Sequence, residues 1–162
     1  MKHFNNDKVR RQDRLLNEER ANYLLENGEF GVLSMITPEH KAYGIPLNYV
    51  WNRDESIYIH CATNGRKLEC IAYCSDVSFT IIGQTSIKPE KFTTNYESIV
   101  LTCKAYTNLP ETERKQALKL FISKYSPHLQ ELGLSYAEKS FHRTEIIRLD
   151  IINVSGKSKN IK

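Results

Sequence analysis

Ala42-Tyr43-Gly44-Ile45-Pro46-Leu47-Asn48-Tyr49-Val50-Trp51, then Asn52-Arg53-Asp54-Glu55, then Ser56-Ile57-Tyr58-Ile59-His60-Cys61 is the stretch on which the fold turns. Its outer segments are rich in β-branched and aromatic residues, and the four residues between them are turn formers. The stretch therefore predicts two strands joined as an antiparallel hairpin. Pro46 removes a ladder donor, which puts the first strand at a sheet edge or breaks it locally. Working outward, residues 30–36 form a strand that reaches residue 42 through Thr37-Pro38-Glu39-His40, and residues 77–82, 99–106 and 146–152 supply three more. Helical periodicity covers residues 18–26, with Ala21, Leu24 and Leu25 on one stripe and Asn27-Gly28 as the stop. It returns over residues 65–73 and, most clearly, over 110–125, where Leu118, Phe121, Ile122 and Tyr125 share a face. Six short strands, with connections too short for βαβ crossovers, predict a mostly β chain. The expected architecture is a closed or partly closed antiparallel barrel with flanking helices, in one domain over residues 1–162.

Composition excludes several function classes. No stretch free of Asp, Glu, Lys and Arg exceeds 11 residues, whereas a membrane-spanning helix needs about 20 apolar residues. The amino terminus has no apolar run of the secretory kind. Cys61, Cys70, Cys74 and Cys103 are too scattered for a disulfide framework or a zinc site, so a cytoplasmic protein with free thiols is expected. The net charge of +4 sits in the tails: residues 1–14 and 155–162 each carry +3, leaving −2 on the 140 residues between them. A nucleic-acid binder concentrates positive charge on its folded body, so no nucleic-acid partner is expected. The tails read as solvated and partly frayed.

The run from Ile57 to Lys67 carries the chemistry. A strand passes through Thr63 and Asn64, either of which is placed to cap a helix, and the helix opens with Arg66 and Lys67. Two cations at the positive end of a helix dipole are locally unfavourable. A bound phosphate resolves the conflict: backbone amides, the Thr63 hydroxyl and the two cations together suit that anion. Two cations pointing into water are the bland alternative. Backbone groups freed by Pro46 suit the edge of a planar heterocycle, with Ile45 and Leu47 alternating against Pro46 and Asn48.

In order and spacing, residues 44–51, 56–67, 76–82, Tyr96-Glu97-Ser98-Ile99-Val100 and Cys103-Lys104-Ala105 resemble the FMN-binding split barrels related to pyridoxamine 5′-phosphate oxidase. Within that group they are most similar to the nitroimidazole-resistance branch. The resemblance implies a six-stranded, Greek-key antiparallel split barrel forming a homodimer, with two flavins at the subunit interface. It implies that Arg66 and Lys67 grip the FMN phosphate with help from Thr63, and that Ile45, Pro46, Leu47 and Asn48 lie along the isoalloxazine. Ser98 is then a further flavin contact. His60 matches a histidine beside the cofactor and is the candidate catalytic residue. The implied activity is an oxidoreductase passing electrons from NAD(P)H or another donor to a small, nitroaromatic-type acceptor. The Arg- and His-containing carboxy-terminal segment of true pyridoxamine phosphate oxidases is missing, which argues against pyridoxal phosphate synthesis. No Gly-rich dinucleotide fingerprint is present, so NAD(P)H would be a diffusing reductant. The alternatives are a haem-binding barrel with His60 as axial ligand, a deazaflavin-binding barrel, or a cofactor-free interaction domain.

Overall fold

A computed structural model of the chain describes residues 3–161. The elements are α1 (Glu18–Asn27), β1 (Phe30–Ile36), β2 (Ala42–Asn48), β3 (Val50–Trp51), β4 (Ser56–Ala62), α2 (Arg66–Tyr73), β5 (Asp76–Lys88), β6 (Thr93–Tyr106), α3 (Glu111–Tyr125), α4 (Gln130–Ser140) and β7 (Thr144–Lys159). All strand pairings are antiparallel, in the order β2-β1-β5-β6-β7-β4-β3. The strands number seven rather than the expected six, because the run around Pro46 divides at Tyr49.

That division closes the barrel. β2 and β3 occupy opposite edges of the sheet, yet Tyr49 alone separates them in sequence. One residue advances the chain by less than ~4 Å, so the two edges must meet there. Tyr49 is fully buried, and its hydroxyl lies 3.0 and 2.8 Å from the Leu24 and Leu25 carbonyls. Its backbone leaves the ladder and is satisfied by α3. The Tyr49 amide donates to the Tyr125 hydroxyl at 3.1 Å, while the Tyr49 carbonyl accepts from Lys124 Nζ at 3.1 Å and from Tyr125 at 2.7 Å. Buried backbone groups need such partners, so α3 is what permits the strand to change edges.

Alternation fills the barrel. Leu33, Ile57, Ile59, Phe79, Ile81, Ile99, Leu101, Ile147 and Leu149 are fully buried and form one cluster with Ala21, Leu24 and Leu25 of α1 and Cys70 and Ile71 of α2. Each large side chain buried in this way contributes ~1.5–3 kcal/mol. Asn17 caps α1 by accepting from the Arg20 amide at 2.8 Å, and the helix runs one residue past its expected end.

Four stretches differ from expectation: the two tails, the ends of β5 and β6, and α4, a helix beyond the three expected. β5 and β6 extend well beyond residues 82 and 99 as a two-stranded arm, with Thr85–Lys88 paired to Thr93–Tyr96. A bulge between Ile82 and Thr85 aims the arm. Gly83 is required in it, since a Cβ there would sit 2.6 Å from the Glu97 side chain and from Leu24 Cδ2. The basic carboxy-terminal segment, expected to fray, instead continues β7 to Lys159 and pairs with β6 back to Tyr96. Asn95 then clasps the chain end: its amide nitrogen donates to the Ile161 carbonyl and its oxygen accepts from the Ile161 amide, each at 2.9 Å. The amino-terminal segment also lies on the barrel, where Asn6 Oδ1 accepts from the Gly156 amide at 2.9 Å. The tail residues Met1, Lys2 and Lys162 lie outside the described residues.

Candidate functional site

β4 delivers the chain to α2 through Thr63-Asn64-Gly65. The helix cap is Gly65, at φ 132° and with no side-chain cap bond, so the expected capping by Thr63 or Asn64 does not occur. A positive φ of this size suits glycine, and the turn sets Arg66 and Lys67 as the first two helical residues, whose amides have no partner within the helix. Neither cation has an ion-pair partner among the described residues. The Arg66 guanidinium lies over the Tyr43 ring of β2, 4.3 Å from its centroid. That stacking joins α2 to the strand carrying Ile45 and Leu47, which are half-buried against the core while Pro46 and Asn48 face out. β2 is an edge strand as expected, so the missing Pro46 donor is tolerated. The Asn48 side chain is occupied locally, donating to the Glu29 carbonyl at 2.9 Å.

Lys67 points its field the other way. His60 is exposed at the mouth of a cleft, and partial desolvation there, then the Lys67 charge, lower its pKa below the usual value. Its ring meets the Phe121 ring edge-on, with centroids 4.6 Å apart. His60, Cys61 and Lys67 line an open cleft of about 510 Å³ with Tyr136, Ser140, Arg143 and Thr144. Burial raises the Cys61 thiol, which disfavours its reactive thiolate. All four cysteines are free, and no group of metal-ligating side chains occurs among the described residues.

Ser98 does not join these residues within one chain. It sits on β6 opposite Ile82 and Lys157. Tyr43 pairs with Met35, one residue beyond the Ser34–Ser78 pair, and Val77 is level with Cys103. Ser98 is therefore five residues along the strand, ~17 Å from the Tyr43 level. The predicted contacts thus spread along the barrel wall, from Arg66 at the Tyr43 level through Ile45–Asn48 to Ser98, which is level with Asn48 three strands away.

The wall between them is bare. Its outward rows run Pro46, Val32, Thr80, Val100, Ser155 and Gly44, Ser34, Ser78, Thr102, Asn153, with no charged residue in either. Phe30, Ile36 and Ile82 stand exposed around them. The outward residues Val50, Tyr58 and Ile146 on the other side of the barrel are buried beneath Ala117 and Phe121 of α3. The bare wall and the α4 contribution to the cleft carry no motif, while Tyr43 reads from sequence, with Tyr49 and Trp51, as barrel packing or a pocket-lining aromatic.

A family model described as pyridoxamine 5′-phosphate oxidase matches residues 17–158. Comparison with curated proteins gives no match. Among solved structures, a proposed 5-nitroimidazole antibiotic resistance protein from Bacteroides thetaiotaomicron is 16% identical, with 89% of this chain and 85% of that chain covered and a TM-score of 0.75. The flavocytochrome Anf3 from Azotobacter vinelandii is 17% identical over 90% of this chain and 68% of that one, with a TM-score of 0.75. The haem storage protein HutZ from Vibrio cholerae is 12% identical over 83% and 89%, with a TM-score of 0.62. No helix among the described residues is long and apolar enough to cross a membrane. By the family match across most of its length and by its antiparallel split-barrel fold, the chain belongs to the pyridoxamine 5′-phosphate oxidase family.

Proposed function

We propose that the chain is a homodimeric flavoprotein that binds FMN and acts as an oxidoreductase on a small acceptor of nitroaromatic type. The observation that carries this reading is the unpaired Arg66–Lys67 pair at the start of α2, placed beside a bare, uncharged barrel wall. Residues of this kind fit a phosphate: two cations, orphan amides and the neighbouring Thr63 hydroxyl. Arg66, braced on Tyr43, anchors the phosphate, and the exposed edge of β2 from Ile45 to Asn48 supplies backbone groups to the ring. The family membership, and the flavin and haem named for its structural relatives, agree with a planar redox cofactor.

A bound flavin supplies one- and two-electron transfer. The protein's part is to hold it, to exclude water and to manage protons. His60, its pKa lowered by partial desolvation and by Lys67, presents an unprotonated ring nitrogen at the cleft, the form that serves as a general base. The second copy brings its Ser98 end of the wall towards the first copy's α2 end, which reunites the contacts that one chain separates. Four free thiols suit a cytoplasmic setting.

The test is the absorbance spectrum of the purified protein, with mass spectrometry of the molecule released on denaturation. FMN is expected, and Arg66→Ala with Lys67→Ala is expected to purify folded and colourless. Full flavin occupancy in that variant removes the phosphate assignment. A haem spectrum in the parent protein replaces the flavin reading and makes His60 the ligand to examine.

A further inference from the structure

α4 is a helix that buries none of its residues. Burial of an apolar face is what normally holds a helix on a protein, but the carboxy-terminal end of α4 is held by polar bonds instead. Arg114 of α3 supplies the first of them. Its Nη2 donates to the Phe141 carbonyl at 3.3 Å and to the Thr144 carbonyl, and its guanidinium lies over the Phe141 ring, 4.4 Å from the centroid. Within the segment, the Ser140 hydroxyl donates to the Tyr136 carbonyl and the Thr144 hydroxyl to the Ser140 carbonyl, each at 2.9 Å. Thr144 then enters the ladder opposite Ala62 of β4. These bonds fix the end of α4 beside the end of β4. What the segment brings there is Tyr136, Ser140, Arg143 and Thr144, one side of the cleft that His60 and Lys67 line from the other.

The cleft is cationic. Lys67 enters it half-buried from α2 and Arg143 exposed from the α4 side, and neither has an ion-pair partner among the described residues. No carboxylate lines the cleft. Glu145, the acid level with Cys61 in the ladder, is engaged elsewhere: its Oε1 accepts from the Ile146 amide at 2.8 Å and lies 3.8 Å from Arg114 Nε. Two unpaired cations from separate elements, in one cleft without an acid, favour an anion there. The proposed flavin phosphate neutralises the start of α2, where Arg66 and Lys67 stand, and leaves Arg143 without a counterion. A guanidinium presents a planar fork that matches a carboxylate. The remaining lining says what carries that carboxylate. The Tyr136 ring, 67% exposed, offers a surface for a second ring, and His60 offers an unprotonated ring nitrogen. A compact inorganic ion uses neither.

We propose that this cleft selects an aromatic acceptor bearing a carboxylate, with Arg143 holding the carboxylate and Tyr136 flanking the ring. Naming the occupant as the acceptor rests on the flavin reading above; the preference for an anion does not. The test is isothermal titration calorimetry of the purified protein with para-nitrobenzoate and with para-nitrobenzamide, its uncharged counterpart, with the flavin content of each sample recorded alongside. The parent protein is expected to bind the benzoate about tenfold more tightly than the benzamide, the order of one hydrogen bond to a charged group. Arg143→Gln is expected to abolish that preference while benzamide affinity and flavin content stay those of the parent, and Arg143→Lys is expected to keep part of the preference. Equal affinities in the parent, failure of the parent to bind the benzoate, or an undiminished preference in Arg143→Gln overturns the inference and leaves the flavin reading intact. Loss of flavin from Arg143→Gln also overturns it, by giving Arg143 to the cofactor. A parent protein that prefers the benzoate through Arg143 but neither carries nor accepts flavin upholds the anion site and overturns the flavin reading together with the acceptor role.

Discussion

The two outward halves of the barrel have similar strand chemistry and opposite fates. On the β7–β4–β3 half, Ile146, Tyr58 and Val50 are buried because α3 lays Ala117 and Phe121 over them. On the β2–β1–β5–β6 half, Phe30, Ile82 and Val100 alternate outward in the same way and remain exposed at 55%, 59% and 41%. An uncharged sheet face of small and apolar residues is normally covered. The difference shows a wall that its own chain covers on one half and leaves bare on the other, the half that the proposed dimer would cover. It also sorts the molecule: the covered half holds the seam at Tyr49, while the bare half is the one to which the proposed function assigns association and the flavin site.

That division is easiest to break on the bare side. Val100→Arg puts a charge at the centre of the uncharged rows, and desolvating it in an isologous interface doubles the penalty. The sedimenting mass is expected to halve and flavin binding to be lost, with chemical stability nearly unchanged. A dimeric Val100→Arg protein would detach the wall from assembly. On the covered side the pattern should invert. Phe121→Ala removes the ring packed on His60 and stacked on Tyr125, and should cost ~3–5 kcal/mol in urea unfolding while the mass stays that of the parent.

The smallest effect belongs to Lys124, on the same helix at the seam. Burial lowers its pKa from 10.5 to about 8. Between those values the unfolded chain holds a proton that the folded chain has released, so parental stability rises with pH across that window. Lys124→Met is expected to remove this rise and to change stability at pH 7 by about 1 kcal/mol or less. Urea midpoints at pH 7, 8.5 and 10 measure it, and a parallel rise in the variant would assign the pH dependence elsewhere.

Where one strand face is buried, the sequence was legible. Residues 30–36 alternate cleanly and became β1 unchanged, and Pro46 correctly marked an edge. The arm was not legible, because Gln84-Thr85-Ser86 and Thr93-Thr94-Asn95 form a ribbon with solvent on both sides and need no apolar alternation. The segment from Ser155 to Lys159 was misread for a related reason: it is held largely by backbone pairing to β6, which polar side chains do not advertise. At Tyr49 an unbroken apolar run concealed the change of edge, since the bonds that allow it come from Tyr125 and Lys124, some 76 residues later. α4 buries no residue, so its apolar periodicity had nothing to report. Within the site, Gly65-Arg66-Lys67 was readable because turn, helix start and charge are local. The stacking of Arg66 on Tyr43, and the distance between Ser98 and both, exist only once the barrel has closed.

The most direct test of the account is sedimentation velocity of the flavin-loaded protein followed at the flavin absorbance. One boundary is expected, carrying the flavin, at about twice the 18.8 kDa of a single chain. Flavin travelling on an 18.8 kDa boundary, or a dimer boundary that carries none and takes up none from added FMN, would contradict it.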